Sequence, residues 1–292
     1  MTRYGYYPGC SLEGTAREYD VSTRIACQEL GIELVELEGW SCCGASSAHA
    51  TRYWLSLALP ARNLRLAQEQ GFSALVAPCA MCYARLRHTQ HALRDPAVRE
   101  QVNSLLDRPL QDAEVKVHSL VDLFSEEERL NLLRSKVQRD LSGLRLACYY
   151  GCLLVRPPEV LEPDDPEYPT MLDRIVEAAG ATVVDWPLKT ECCGGSLSLS
   201  RTDIALELTR RLLEDALCRG ANGIVTACPM CHANLDMRQQ QINRRYGTQL
   251  DLPILYFTQL VGLATGHAPK ELLLHHHLVE PWSLLAQAGI PA

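Results

Sequence analysis

Short runs of apolar and β-branched residues alternate along this chain with longer stretches whose apolar positions recur every three to four residues. Residues 3–7, 33–37 and 74–77 read as strands, and 16–30 and 53–69 as helices. Pro60 falls inside the second helix, where its missing amide is expected to kink or split it. The alternation then returns, with strands over 144–149, 182–185 and 223–227 and helices over 171–179 and 203–217. A strand over 115–118 and a helix over 120–138 close the first half, and 254–256 and 257–264 close the second. Residues 95–112 are polar, carry Pro96 and Pro109, and read as a surface connection. Residues 156–169 hold five prolines and read as a loop of a length that often serves as a lid. Strands alternating with helices predict βαβ units. The expected fold class is α/β: two pseudo-repeated lobes, each a small parallel sheet with flanking helices.

The two halves also resemble each other residue by residue. Cys79-Ala80-Met81-Cys82 meets Cys228-Pro229-Met230-Cys231 at an offset of 149. Gly71 then falls on Gly220, Leu75 on Ile224, Val76 on Val225, Ala84 on Ala233 and Leu86 on Leu235 without a gap. Cys42-Cys43-Gly44 meets Cys192-Cys193-Gly194 at an offset of 150, and Tyr6-Tyr7-Pro8-Gly9-Cys10 and Tyr149-Tyr150-Gly151-Cys152 lead the two units. Two repeats are too few for a solenoid, so the expected organisation is two related lobes, 1–143 and 144–292.

Composition narrows the function. With 292 residues, nearly half of them apolar, the chain can bury a core without disulfides. It carries no run of eighteen uncharged apolar residues and no secretory signal pattern at its start, which reads as a cytoplasmic protein without a direct membrane span. The net charge of -7 is spread along the chain, so no nucleic-acid footprint exists and the expected partners are proteins or small molecules. The anomaly is thirteen cysteines. In a reducing compartment a dense, patterned set reads as metal ligands or redox groups rather than a disulfide framework.

Ten of them form two copies of C-x(31–39)-CC-x(34–35)-C-x2-C: Cys10, Cys42, Cys43, Cys79 and Cys82, then Cys152, Cys192, Cys193, Cys228 and Cys231. Every member follows an expected strand, and binding sites in open parallel sheets form beyond the carboxyl ends of strands, so each quintet can converge. Helix N-termini at the C-x2-C pairs favour an anionic group there. Gly44 and Gly194 are expected to let the chain turn tightly and to leave room for inorganic sulfide. A structural zinc site uses four ligands and would leave one thiolate over. Thioredoxin-like dithiol chemistry explains two cysteines per lobe and not the CC-G units. Iron-sulfur clusters suit thiolate-rich sites, either as a non-standard five-ligand centre or as a four-cysteine cluster with a free thiol; spacing does not choose between them.

This double unit resembles the cysteine-rich CCG domain, and the whole chain, through Leu255-Tyr256-Phe257-Thr258-Gln259-Leu260, resembles the B subunit of heterodisulfide reductase. The resemblance implies that each quintet binds a non-cubane [4Fe-4S] cluster through all five cysteines and that a disulfide is cleaved between the two. It implies an iron-sulfur catalytic subunit, that is, an oxidoreductase acting on sulfur groups. Its electrons would be exchanged with two other proteins of such a complex, one like the flavin-containing A subunit and one like the iron-sulfur C subunit. Its substrate would be a small disulfide or sulfur carrier. The chain has neither a GxGxxG fingerprint nor a C-x2-C-x2-C run, so flavin and ferredoxin functions fall to other chains. The rival expectations are a CCG electron-transfer subunit of a sulfur-oxidising complex or of a succinate, lactate or glycolate oxidoreductase, and a non-catalytic relay.

Cys27 and Cys218 fall in expected helices and read as buried packing, as does Cys148 on an expected strand. Met81 and Met230, between paired cysteines, are expected to shield the centres. His232 follows Cys231 and is a candidate proton donor, against the commoner reading of a helix-surface histidine. Lys189 could attract an anionic substrate, against the commoner solvated lysine. His275-His276-His277 reads as surface or partner contact, because adjacent side chains on a regular element do not face one point.

Overall fold

The computed structural model describes residues 2–45, 47–111 and 114–291. Two four-stranded sheets form, all their neighbours parallel. The first holds β1 (Thr2–Tyr6), β2 (Ile32–Glu36), β3 (Ala74–Val76) and β4 (Lys116–His118) in the order β2-β1-β3-β4. The second holds β5 (Arg145–Tyr149), β6 (Thr182–Val183), β7 (Gly223–Thr226) and β8 (Ile254–Tyr256) in the order β6-β5-β7-β8. The topology is the same in both, so the α/β reading with two repeated lobes holds. In each sheet the order reverses between the first and third strands of the lobe, which opens a crevice at their carboxyl ends.

Tyr19 stacks on Tyr256 across the two halves, ring centroids 4.1 Å apart, and Phe124 meets Phe257 edge to face at 5.3 Å. The helix Arg17–Glu29 of the first half lies against Phe257–Ala264 of the second, with Ser22 Oγ and Thr258 Oγ1 2.7 Å apart. Reciprocally, Met171–Ala178 packs on Leu120–Phe124. All four of these rings are buried, so one apolar core runs through both halves.

Several segments depart from the sequence expectation. Pro60 does not split the helix Tyr53–Glu69, which runs through it and packs on Ala80–Ala92; tertiary burial outweighs the local penalty. The connection expected over 95–112 contains the helix Pro96–Asn103, while Asp112 lies outside the described residues. Asp95 caps that helix by accepting from Ala97 N–H at 2.8 Å, and Pro96 occupies the first turn, a start signal that the turn reading overlooked. The helix expected over 120–138 is two, Leu120–Phe124 and Glu127–Lys136. Ser119 and Asp122 form a capping box at 3.0 Å, and Glu126 takes an extended conformation between the helices. The proline-rich loop includes a short helix, Pro158–Leu161, fastened to the first half: Arg87 donates to Val160 O at 2.7 Å and Tyr83 to Leu161 O at 3.3 Å. Among the described residues no helix is long and apolar enough to cross a membrane.

Candidate iron-sulfur sites

The ten patterned cysteines all lie at the carboxyl ends of strands. Cys10 sits in the short helix Gly9–Glu13 after β1, and Cys42 and Cys43 lie in the loop after β2. Cys79 stands at the N-cap of the helix Ala80–Ala92 after β3, and Cys82 is in its first turn. The second half repeats this with Cys152 after β5, Cys192 and Cys193 before the turn Gly195–Leu197, and Cys228 and Cys231 at the start of Pro229–Met237 after β7.

The sulfurs meet. Cys10 and Cys42 Sγ atoms are 3.9 Å apart, Cys43 and Cys82 3.3 Å, and Cys193 and Cys231 3.6 Å. Cys152 hydrogen-bonds Cys192, and Cys79 bonds Cys82 within its own lobe and Cys228 across the interface. All thirteen cysteines are free thiols. The five cysteines of the second lobe line a single cavity of about 60 Å³, together with Met230, Tyr149 and Met81 from the other lobe. A larger cleft of about 330 Å³, among Arg87, His91 and Gln111, contains no cysteine and lies away from this chemistry.

Thiols this crowded cannot all ionise without a cation between them. Cys43 is pulled down to about 7 by the hydrogen bond from Cys82, with help from the Ala45 amide and Arg85; Cys82 is pushed well up by donating it. Cys192 is pulled down to about 6 by the hydrogen bond from Cys152 and by the Gly194 and Gly195 amides. Such an arrangement suits a polycationic core that binds several thiolates at once. Among the described residues no three His, Cys, Asp or Glu side chains are arranged to hold a single metal ion.

Backbone devices hold the loops. Gly44 N–H donates to Cys42 Sγ at 3.4 Å and Gly194 N–H to Cys192 Sγ at 3.3 Å, both glycines at positive φ. The space their missing side chains leave is against Leu59 and Ala205, not against sulfur, so the expected room for sulfide does not come from them. It is Gly9 and Gly151 that give way to the thiols: a Cβ would stand 2.9 Å from Cys82 Sγ and 3.0 Å from Cys231 Sγ. Tyr7 OH donates to Ser41 O at 2.7 Å and Tyr149 OH to Glu191 O at 2.6 Å, each fastening the residue before a CC pair. Tyr19 OH lies 3.1 Å from both Pro78 O and Ala227 O, the residues before Cys79 and Cys228, and burial keeps its phenol protonated. Repetition of Tyr7 and Tyr149 three residues before Cys10 and Cys152 was a readable signal for the first pair; Tyr19 has no such counterpart.

The other candidates fare differently. His232 is buried rather than on the surface: it stacks on Tyr256 at 4.2 Å and donates through Nε2 to Ile254 O at 3.1 Å. Burial holds it neutral, and it does not line the cavity. Lys189 is neither solvated nor turned toward a substrate; it is 2 % exposed, paired with Asp173, and bonded to Pro169 O at 3.2 Å. Its own carbonyl accepts from Tyr150 and Gly151 N–H at 2.9 and 3.0 Å, which shapes the loop leading to Cys152. Cys27 and Cys148 are buried as expected, but Cys218, at the end of Thr202–Cys218, is exposed. Met81 and Met230 flank the cavity. Of the three adjacent histidines, His275 and His276 are exposed, while His277 is buried against Gln259 at 2.9 Å.

Known proteins are similar to this chain in sequence and in fold. The cysteine-rich domain family, CCG, matches residues 4–87 and 146–236. The chain is 33% identical over 281 residues, 96% of its length and 98% of the relative's, to the 8-methylmenaquinol:fumarate reductase membrane anchor subunit of Wolinella succinogenes. It is 30% identical over 295 residues, 98% of its length and 97% of the relative's, to the B subunit of the ferredoxin/F(420)H(2)-dependent CoB-CoM heterodisulfide reductase of Methanosarcina acetivorans. In fold it is similar to a hypothetical protein from Helicobacter pylori, with a TM-score of 0.77 at 13% identity. That match covers 96% of this chain, which spans 52% of the solved one.

Proposed function

The chain belongs to the family of cysteine-rich CCG-domain proteins that includes the B subunit of heterodisulfide reductase, and from that premise we propose that it is the iron-sulfur subunit of a heterodisulfide reductase-like complex. In this reading Cys10, Cys42, Cys43, Cys79 and Cys82 hold one [4Fe-4S] cluster, and Cys152, Cys192, Cys193, Cys228 and Cys231 the other, both non-cubane, one in each half of the chain, 1–143 and 144–292. The observation that carries it is the convergence of five free thiols on one cavity in the second lobe, with Cys79 of the first lobe in contact with Cys228. Bound clusters each pass one electron, and breaking a sulfur-sulfur bond takes two, so adjacent centres supply the pair.

The remaining work falls to the protein. Tyr7 and Tyr149 fix the CC loops, Tyr19 fixes both C-x2-C turns relative to one another, and Gly9 and Gly151 keep side chains off the sulfurs. Met81 and Met230 exclude water from the cavity wall. Cys10, Cys42 and Cys192 remain exposed, which leaves an edge of each site open to a small disulfide or to a partner that exchanges electrons. An iron-sulfur protein like the C subunit and a flavoprotein like the A subunit, both in the cytoplasm, are the partners this reading requires.

The relationship to the fumarate reductase subunit favours a second reading, an electron-transfer protein that serves a partner's substrate. The two separate in one assay: the anaerobically purified complex is reduced with a viologen dye, and reoxidation is followed after adding a small heterodisulfide. Disulfide-dependent reoxidation supports the first reading. Iron-replete, reducible protein that is oxidised only by quinone or fumarate through its partners supports the second.

A further inference from the structure

The internal repeat allows each lobe to serve as the reference for the other, and it shows a mismatch in charge beside the thiols. Arg85 lies three residues after Cys82 and Asn234 three after Cys231, so they occupy the same helical position. Arg85 is half-buried, donates to His49 Nδ1 at 2.9 Å, and its positive charge acts on Cys43. Asn234 is neutral and buried; its Nδ2 donates to Cys193 O at 2.9 Å and its Oδ1 accepts from Ser198 at 2.8 Å. Immediately before the CC pairs, Ser41 in the first lobe is replaced by Glu191 in the second, whose negative charge acts on Cys192.

Several other charges around the sites are paired. In the second lobe Lys189 pairs with Asp173, and Arg156 with Glu167 at 3.0 Å. In the first, Arg24 engages both Asp20 and Glu36 at 2.9 Å, which leaves one negative charge over in that trio. What differs beside the thiols themselves is the Arg85 guanidinium at the first site and the Glu191 carboxylate at the second, the latter weakened by Arg211, which lines the same small cavity as Glu191 and Cys192.

We infer that the two centres are unequal electron acceptors: Arg85 makes the first-lobe centre the more readily reduced, and Glu191 makes the second-lobe centre the less readily reduced. The inference rests on the iron-sulfur reading above. A one-electron donor, such as a partner iron-sulfur protein, adds one negative charge to the centre it reduces, and a fixed guanidinium beside that centre stabilises the product without a proton being taken up. The first electron to arrive therefore rests in the first lobe. Arg85 acts here as a tuning residue through its charge and takes no part in bond breaking.

The test is an anaerobic redox titration of the cluster-containing chain with dithionite and mediators, followed by electron paramagnetic resonance and visible absorption. Two waves are expected. Arg85→Gln lowers the upper wave, changing the one-electron partition between centres by about tenfold, which is about 59 mV for a one-electron couple, and leaves the lower wave in place. Arg85→Lys, which keeps the charge, retains most of the upper wave's position. Glu191→Gln raises the lower wave by a smaller factor, because the side chain is exposed and screened. Movement of the lower wave in Arg85→Gln, equal movement of both, or movement of neither overturns the inference. Should Arg85→Gln fail to load iron, an unmoved lower wave in Glu191→Gln overturns it instead. Iron and sulfide are measured first on every sample: wild-type chain without them defeats the iron-sulfur reading itself, whereas full content with waves indifferent to Arg85 defeats this inference alone.

Discussion

Tyr19→Phe removes one oxygen from the place where the two lobes' cysteine turns meet. The hydroxyl is fully buried and shared between Pro78 O and Ala227 O, each at 3.1 Å, so its loss leaves two buried carbonyl oxygens without this donor. The ring itself stays, stacked 4.1 Å from Tyr256, so no cavity opens. An unsatisfied buried acceptor costs about 1–3 kcal/mol. For a chain of this size each kcal/mol lowers Tm by about 2–4 °C, so a fall of between about 2 and 12 °C is expected. Tyr19→Ala adds the cavity and the lost stacking, at about 3–5 kcal/mol. The assay is thermal loss of visible cluster absorption and of circular dichroism under argon, with Tyr53→Phe, at an exposed position, as the unchanged control. Tyr19→Phe protein that melts with the wild type would refute the argument that this hydroxyl ties the two turns together.

Gly9→Ala and Gly151→Ala each place a Cβ within about 3 Å of a thiol at a positive φ; each is expected to lose the iron of its own lobe, about half the total, as read by iron analysis. Lys189→Met leaves Asp173 buried without its counter-charge and is expected to cost about 3–5 kcal/mol in denaturant titrations, with the double variant carrying Asp173→Asn recovering part of it. Hydrogen bonding from Lys136, then from His267, holds the Glu29 carboxyl below its usual range. Its contribution to stability is therefore complete above the unfolded carboxylate value and fades as pH falls through the lower folded value; Glu29→Gln is expected to flatten the acid limb of a stability-pH profile. Cys218→Ser, at an exposed thiol outside the quintets, is expected to leave iron content unchanged.

The sequence made the repeat visible because the same spacing recurs around each C-x2-C pair, and it placed the ten cysteines after strands because β-branched runs precede them. Those features are local in the chain. The local sequence around Lys189 and His232 favours exposed readings, since a lone cation or histidine carries no sign of the Asp173 carboxylate or the Tyr256 ring that buries it. Cys218 erred the other way: its helix periodicity does not reveal that the last turn leaves the core. Tyr19 was illegible because its partners, Pro78 and Ala227, are 59 and 208 residues away. Gly44 and Gly194 drew attention within the CC-G motif, but the glycines that make room for sulfur, Gly9 and Gly151, stand against thiols from a different strand, and only the folded topology brings those together.

The central claim is that each set of five thiols grips an iron-sulfur core. Anaerobic analysis of iron, zinc and acid-labile sulfide on the purified chain tests it most directly: about eight irons with matching sulfide per chain are expected for two four-iron clusters. Stoichiometric zinc without sulfide, or thiols found oxidised in pairs, contradicts it.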